Sequence, residues 1–399
     1  MNRYTVISSD CHAGADLADY RPYLEARHHD EFDRWLACYD NPFRDLTAPD
    51  AERNWNSDVR QVALESDGIV GEVVYPNTVP PFFPTSGLVT PTPQAADYPL
   101  RQVGLRAHNR WLAEWCAGLP GRRAGIGQIL LNDVDEAVRD VHWIADHGLM
   151  GGALLPGVPP GSGIDPLHSP VYDPVWRACE ERDVVVNVHG GGGSPNEGYF
   201  PATLALFVLE ASFYSHRPVW SLIMSGVFDR FPALRFVVAE AGSRWIPTTL
   251  EAMDHMQAKQ DEGRIGALRF IEPLRLEQKP SEYWATNCWV GASFMTREDA
   301  VDRAHIGVDR IMWGSDFPHE EGTFPYTREA LAHTYSGMDQ REVAKMVGAN
   351  AAKVYRFDLE QLAPLAAEIG PEVERVAGGI DRVPETISLA FEPRSAGVS

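Results

Sequence analysis

Eight times along this 399-residue chain a short apolar run, rich in valine and isoleucine, gives way to a segment with helical spacing. The runs fall at 4–12, 69–77, 123–131, 152–157, 183–190, 234–242, 283–290 and 310–317, and the intervening helical periodicity is clearest at 100–116, 134–147, 171–182, 204–224, 245–260 and 297–306. Near-continuous apolar runs of this length suit strands buried on both faces, and such strands are found in parallel sheets whose crossovers are helices. Eight strands with helical crossovers make a (β/α)8 or TIM barrel the economical fold.

Residues 1–358 are read as the barrel, with a segment after the first strand, 13–59, too long for a plain connection and rich in aromatics, acids and histidines. It is expected to form a lid-like insertion. Residues 359–399 are expected to be a C-terminal extension. The proline-rich stretch 76–93, carrying Phe82 and Phe83, reads as a loop at the rim. The glycine run of 190–200 lets backbone approach a ligand, but it lacks the lysine of a phosphate-binding loop.

The composition, 44% hydrophobic and 23% charged, is that of an ordinary globular protein. A net charge of −21 argues against nucleic acid and anionic membrane as partners, because neither is bound without a basic face. Cysteines at 11, 38, 116, 179 and 288 form neither a disulfide framework nor a zinc-ribbon spacing. No basic segment followed by an apolar stretch opens the chain, and no run of eighteen apolar residues occurs, so a cytoplasmic protein is expected.

Chemistry concentrates where these strands end. Asp10 and His12 close the first run, spaced i, i+2 so that both side chains share a face. His189 closes the fifth, Glu240 the sixth, and Asp316 the eighth, with His319 three residues on. A carboxylate at the end of a buried strand needs a cation or a dense hydrogen-bond shell. Strand exits of a parallel barrel are also where its active sites lie. Asp10, His12, His189, Glu240, Asp316 and His319 are therefore the candidate metal ligands, with Asp316, His319 and Glu240 as candidate catalytic groups. Three carboxylates and three imidazoles exceed what one ion needs, so one or two divalent ions per chain are expected; this thiolate-free shell suits iron first, with zinc or manganese as alternatives.

The stretches Val6-Ile-Ser-Ser-Asp-Cys-His12, Tyr172-Asp-Pro-Val-Trp176 leading to Val188-His-Gly-Gly191, Phe228-Asp-Arg-Phe-Pro-Ala-Leu-Arg-Phe236, Trp313-Gly-Ser-Asp-Phe-Pro318 and Gly348-Ala-Asn-Ala-Ala352 resemble the amidohydrolase superfamily. Within it, the chain is similar to the group that holds aminocarboxymuconate semialdehyde decarboxylase and the resorcylate-type decarboxylases. The resemblance, spanning roughly 4–357, implies that Asp10 and His12 are first-strand ligands, His189 the fifth-strand histidine and Asp316 the last-strand aspartate. It also implies a homodimer. Two positions depart from the group: Asp10 stands where histidine or glutamate is usual, and Glu240 where histidine is common. No lysine lies in 151–161, so a carbamylated lysine cannot bridge two ions and Glu240 is the candidate bridge.

From that site, the first expectation is a hydrolase that activates water at a binuclear centre to cleave an amide or an acyl thioester with a bulky apolar acyl group. This resembles a diiron acyl-CoA thioesterase known on the same scaffold. Phe82, Phe83, Phe207, Phe213, Trp245, Trp289 and Phe294 would line the acyl site, His319 or His216 would meet the oxyanion, and Arg217, Arg244 and Lys279 would clamp the CoA phosphates. The alternative is a metal-dependent, non-oxidative decarboxylase of an aromatic or unsaturated acid, with one ion held by Asp10, His12, His189 and Asp316. A third reading is a barrel whose strand-end groups form ion pairs alone. In the first two, the partner is a small-molecule substrate.

Overall fold

A computed structural model describes residues 2–85, 90–196, 198, 200–270 and 274–392, with the side chains of 269 and 270 left aside. Its core is one parallel sheet of eight strands in chain order: β1 (Val6–Ala13), β2 (Ile69–Pro76), β3 (Arg123–Gln128), β4 (Gly152–Leu154), β5 (Val186–His189), β6 (Phe236–Ala239), β7 (Cys288–Ser293) and β8 (Ile311–Gly314). The edge strands meet as well. Cys11 and Phe317 form a parallel bridge, the Asp316 amide donates to the Asp10 carbonyl at 2.9 Å, and the His12 amide donates to the Phe317 carbonyl at 2.6 Å. The sheet is thus a nearly closed (β/α)8 barrel.

Alternation along each strand divides the apolar residues between two cores. One side of the strands packs with the surrounding helices, joining Val6, Val74, Val186, Val238, Val290 and Trp313 to Leu112, Ile144, Trp176 and Leu222. The other gathers Ile7, Val185, Val237, Trp289 and Met312 with Tyr355, Leu362 and Ala366. Helix Leu359–Ile369 therefore buries its apolar stripe on the barrel, and Arg3 pairs with Glu372 at 2.8 Å. Of the C-terminal extension, 393–399 lie outside the described residues, as do 197 and 199 in the glycine run.

The seventh strand corrects the sequence reading. Residues 283–290 were expected to be extended, but helix Pro280–Asn287 occupies the first five of them and β7 begins at Cys288. The local cause is a helix start: Pro280 sits in the first turn, and the Glu282 carboxylate accepts from the Lys279 amide at 2.8 Å. Tyr283 and Trp284, which read as strand residues, are the buried face of that helix. The expected helix over 297–306 is also divided, into Arg297–Val301 and Arg303–Ile306.

The segment after β1 is built from short 3-10 turns around helix His29–Cys38. It is tied down at buried points. The Tyr20 hydroxyl lies 2.6 Å from both Thr78 Oγ1 and His108 Nδ1, and Trp35 donates to the Phe83 carbonyl at 2.8 Å. Asp45 and Asn54 of the same segment accept from Asn77 Nδ2, just past β2, at 2.8 and 2.6 Å. Among the described residues no helix is long and apolar enough to cross a membrane.

Candidate functional site

Strand ends deliver the ionisable groups to one place, with Asp10 and Asp316 fully buried and His12 nearly so. His12 Nε2 lies 3.3 Å from Asp10 Oδ1 and 3.1 Å from Asp316 Oδ1, while His189 Nε2 lies 3.4 Å from Asp10 Oδ1. His319 Nδ1 meets Asp316 Oδ1 at 3.0 Å, and its ring stacks on His12 with centroids 4.2 Å apart. Asp316 and Glu240 both hold left-handed backbone, with φ of 61° and 49°, where the chain leaves its strand. Such conformations are strained for a residue with a side chain and concentrate at functional sites.

The outer nitrogens fix the tautomers. His12 Nδ1 faces the Pro76 carbonyl at 3.3 Å, and a ring nitrogen facing a carbonyl must carry the hydrogen. His189 Nδ1 faces the Gly190 carbonyl at 3.2 Å and Glu240 Oε2 at 3.3 Å, so the same holds there. In the neutral rings both Nε2 lone pairs then point inward, toward Asp10 and Asp316. His12 Nε2 and Asp316 Oδ2 are buried without a hydrogen-bond partner. An inward lone pair and an unpartnered carboxylate oxygen side by side are a fit for a cation.

Charge supports the same reading. Burial opposes a proton on His189, yet the Asp10 and Glu240 carboxylates outweigh it and raise its pKa to about 9. Burial likewise opposes His319, and Asp316 with Asp45 and Glu240 raises it to about 10. Burial opposes ionisation of Asp10 and Asp316, but the neighbouring imidazoles keep both below the usual carboxylate range. Glu240 moves the other way, to about 7, through burial and repulsion from Asp316 and Asp10. The cage thus demands positive charge. Two carboxylates and two neutral imidazoles carry −2, which one divalent ion neutralises.

Two groups of ligand atoms converge within 4.8 Å: Asp10, His12 and His189, and His12, Asp316 and His319. Among the described residues Glu240 joins neither. Its carboxylate sits behind His189, on the outer nitrogen, where a carboxylate orients a ligating imidazole. His216 is not in the cluster either: its Nε2 lies 2.6 Å from the Ala241 carbonyl, its ring stacks on Trp245, and burial lowers its pKa to about 4.

Several contributors carried no signal as motifs. Ser293 Oγ donates to Asp10 Oδ2. It is the last residue of β7, a position the misplaced strand over 283–290 could not reach. Asn77, just beyond β2, holds His319 Nε2 at 3.2 Å through Oδ1 and donates through Nδ2 to Asp45 at 2.8 Å and Asn54 at 2.6 Å. Asp45 Oδ2 lies 3.7 Å from His319 Nε2. Beneath the cluster, Arg60 is fully buried, pairs with Glu72 at 2.6 Å and donates to the His12 carbonyl at 2.8 Å.

A family model described as amidohydrolase matches residues 10–357. Gamma-resorcylate decarboxylase of Rhodococcus jostii (strain RHA1) is 26% identical over 273 residues, 63% of this chain and 76% of that protein. The 2-amino-3-carboxymuconate-6-semialdehyde decarboxylase of Dictyostelium discoideum is 23% identical over 313 residues, 76% and 77% of the two chains. Among solved structures, 5-carboxyvanillate decarboxylase of Novosphingobium aromaticivorans, complexed with manganese and 4-hydroxy-3-methoxy-5-nitrobenzoic acid, superposes with a TM-score of 0.65 at 20% identity, covering 88% of this chain and 96% of that one.

These relatives overturn the first functional expectation. They are decarboxylases, and neither the water-activating hydrolase nor the diiron acyl-CoA thioesterase has support among them. Iron has none either, since the metal in the neighbouring structure is manganese. Of the residues expected to line the acyl and CoA sites, Phe213 is 55% exposed, Trp289 donates to the Asp309 carbonyl, and Arg244 lies 3.5 Å from Asp302.

Proposed function

Because this chain belongs to the amidohydrolase family, we propose that it is a metal-dependent, non-oxidative decarboxylase of an aromatic or unsaturated carboxylic acid. The observation that carries the reading is the inward pair of unpartnered buried atoms, His12 Nε2 and Asp316 Oδ2, inside the Asp10, His12, His189 and Asp316 cage. Those four residues would hold one divalent ion, manganese by the example of the neighbouring structure. When bound, it supplies the charge that anchors an acid's oxygens and tempers the negative charge that develops as carbon dioxide departs.

The chain's own groups handle the proton. In the reaction the carbon–carboxylate bond breaks, carbon dioxide leaves, and a new C–H bond forms with one proton consumed. His319 holds Asp316 Oδ1 at 3.0 Å, and the carboxylates around its ring favour the protonated form that can hand on a proton. Asp316 can pass that proton to the carbon losing carbon dioxide, and Asn77 and Asp45 keep His319 in line. Glu240 orients His189 rather than bridging two ions, and Ser293 fixes the rotation of Asp10.

The test is turnover of 2,6-dihydroxybenzoate and 5-carboxyvanillate by manganese-loaded protein in deuterated water. Carbon dioxide should be released, with one deuterium placed at the vacated carbon of the product. Protein with a full complement of manganese that neither releases carbon dioxide nor exchanges the ring position refutes the reading.

A further inference from the structure

A cavity of about 590 Å³ opens at the strand-entry end of the barrel, away from the metal cage. It lies between the residues leading into β1, the π-helical turn Lys345–Ala349 and helix Leu359–Ile369, and its size is that of a small-molecule site. Tyr4, in its wall, stands six residues before Asp10, about 20 Å along an extended chain.

The walls are apolar because of how the last helix divides its residues. Leu362, Leu365 and Ile369 press on the barrel, while the neighbouring stripe of Leu359, Ala363, Ala366 and Ala367 borders the cavity, with Ala344 and Ala349 also in its wall. One polar group stands among these methyl groups without a partner. Tyr4 is 3% exposed, yet its hydroxyl makes no hydrogen bond among the described residues and is not sealed from solvent. Tyr20, Tyr172 and Tyr355, as deeply buried, each bond a neighbour through theirs. Burial, and then the Asp339 carboxylate, raise the pKa of Tyr4, so its hydroxyl keeps the hydrogen and is free to donate it.

Charge in the lining comes from Arg3 alone, and that guanidinium is taken: Nη1 donates to the Gly370 carbonyl at 2.6 Å and Nη2 to Glu372 at 2.8 Å. No carboxylate among the lining residues offers a cation a seat, and no unpaired cation offers one to an anion. An apolar cavity with one unused donor suits an uncharged ligand.

We propose that this cavity binds a neutral, largely apolar small molecule bearing an oxygen acceptor: the oxygen takes the Tyr4 hydroxyl hydrogen and the hydrocarbon body covers the alanines. The site stands apart from the cage and from the decarboxylase reading.

The test is fluorescence titration of the full chain, with and without manganese, using 6-propionyl-2-(dimethylamino)naphthalene, a neutral probe with a single carbonyl. One saturable site per chain is expected, indifferent to the metal. Tyr4→Phe should weaken binding about three- to tenfold, the scale of one neutral hydrogen bond. Ala363→Phe, at an exposed position of the helix, fills the cavity without touching the core and should abolish binding. The anion 8-anilinonaphthalene-1-sulfonate should bind at least tenfold more weakly than the neutral probe. Absence of a saturable site, as when a second copy of the chain already covers the cavity, overturns the proposal. So does binding that Ala363→Phe or Tyr4→Phe leaves intact, that favours the anion, or that vanishes with the metal.

Discussion

Replacing Glu240 by glutamine separates a ligand from a residue that aims one. The Glu240 carboxylate meets the outer nitrogen of His189 at 3.3 Å, and the inner nitrogen of that ring faces Asp10 at 3.4 Å. Glutamine keeps the length and an acceptor oxygen but removes the charge. If Glu240 orients His189, metal affinity should fall ten- to a hundredfold, about 1.4–2.8 kcal/mol, the range measured when the outer partner of a ligating histidine is changed. His189→Ala, which deletes an inner nitrogen outright, should lose far more. The assay is manganese affinity by competition with a chromogenic chelator, with ions per chain counted by elemental analysis. Wild type and Glu240→Gln should both hold one ion at saturating metal. A fall from two ions to one in Glu240→Gln would refute the geometry argued here and restore Glu240 as a bridge.

Three further outcomes are expected. Chelating the metal should lower the thermal midpoint, and manganese at about a hundred times its dissociation constant should restore about 2.7 kcal/mol; a midpoint indifferent to both would remove the ion from the cage. Arg60→Met strips Glu72 of its principal partner and the His12 carbonyl of a donor, so it should destabilise by about 3–5 kcal/mol in urea titrations, and the Arg60→Met, Glu72→Leu pair should cost less than the sum; a loss under about 1 kcal/mol counts against a structural role. His108 is buried neutral, its pKa lowered to about 3 by desolvation. The unfolded chain takes up that proton below about 6.5, so this stability is present above that pH and is lost as pH falls toward 3, about 2 kcal/mol of it by pH 5. His108→Gln should show a shallower acid slope, and identical slopes would sink the assignment.

Strand exits were legible because burial and charge conflict there. A carboxylate closing Phe236-Val-Val-Ala or Ile311-Met-Trp-Gly has no reason to exist in a core, so Glu240 and Asp316 announce a site without any contact being known. The eight apolar runs gave the barrel for a similar reason, since their length and valine content fit no helix. Over 283–290 the same logic failed. Tyr283 and Trp284 are as apolar as strand residues, and the deciding information is the Pro280 and Glu282 start, which fixes a helix on a stretch that either element could bury. That error hid Ser293 as well.

What sequence could not supply is the direction of each nitrogen and oxygen, and the chemistry depends on it. Listed along a chain, three carboxylates and three histidines suggest a centre for two ions. Arranged in space, they divide by which atom faces inward. The Pro76 and Gly190 carbonyls turn the Nδ1 atoms of His12 and His189 outward, and this leaves their Nε2 lone pairs facing the Asp10 and Asp316 oxygens, the arrangement proposed above to hold one ion. Glu240 is displaced behind a ring, and His319 is shared between Asp316 on one side and Asn77 and Asp45 on the other. Asp45 comes from the segment after β1 and has no spacing that could mark it. A hydrolase was therefore a reasonable inference from counting ligands, whereas the decarboxylation proposed here consumes a proton at carbon and needs no second ion to present water.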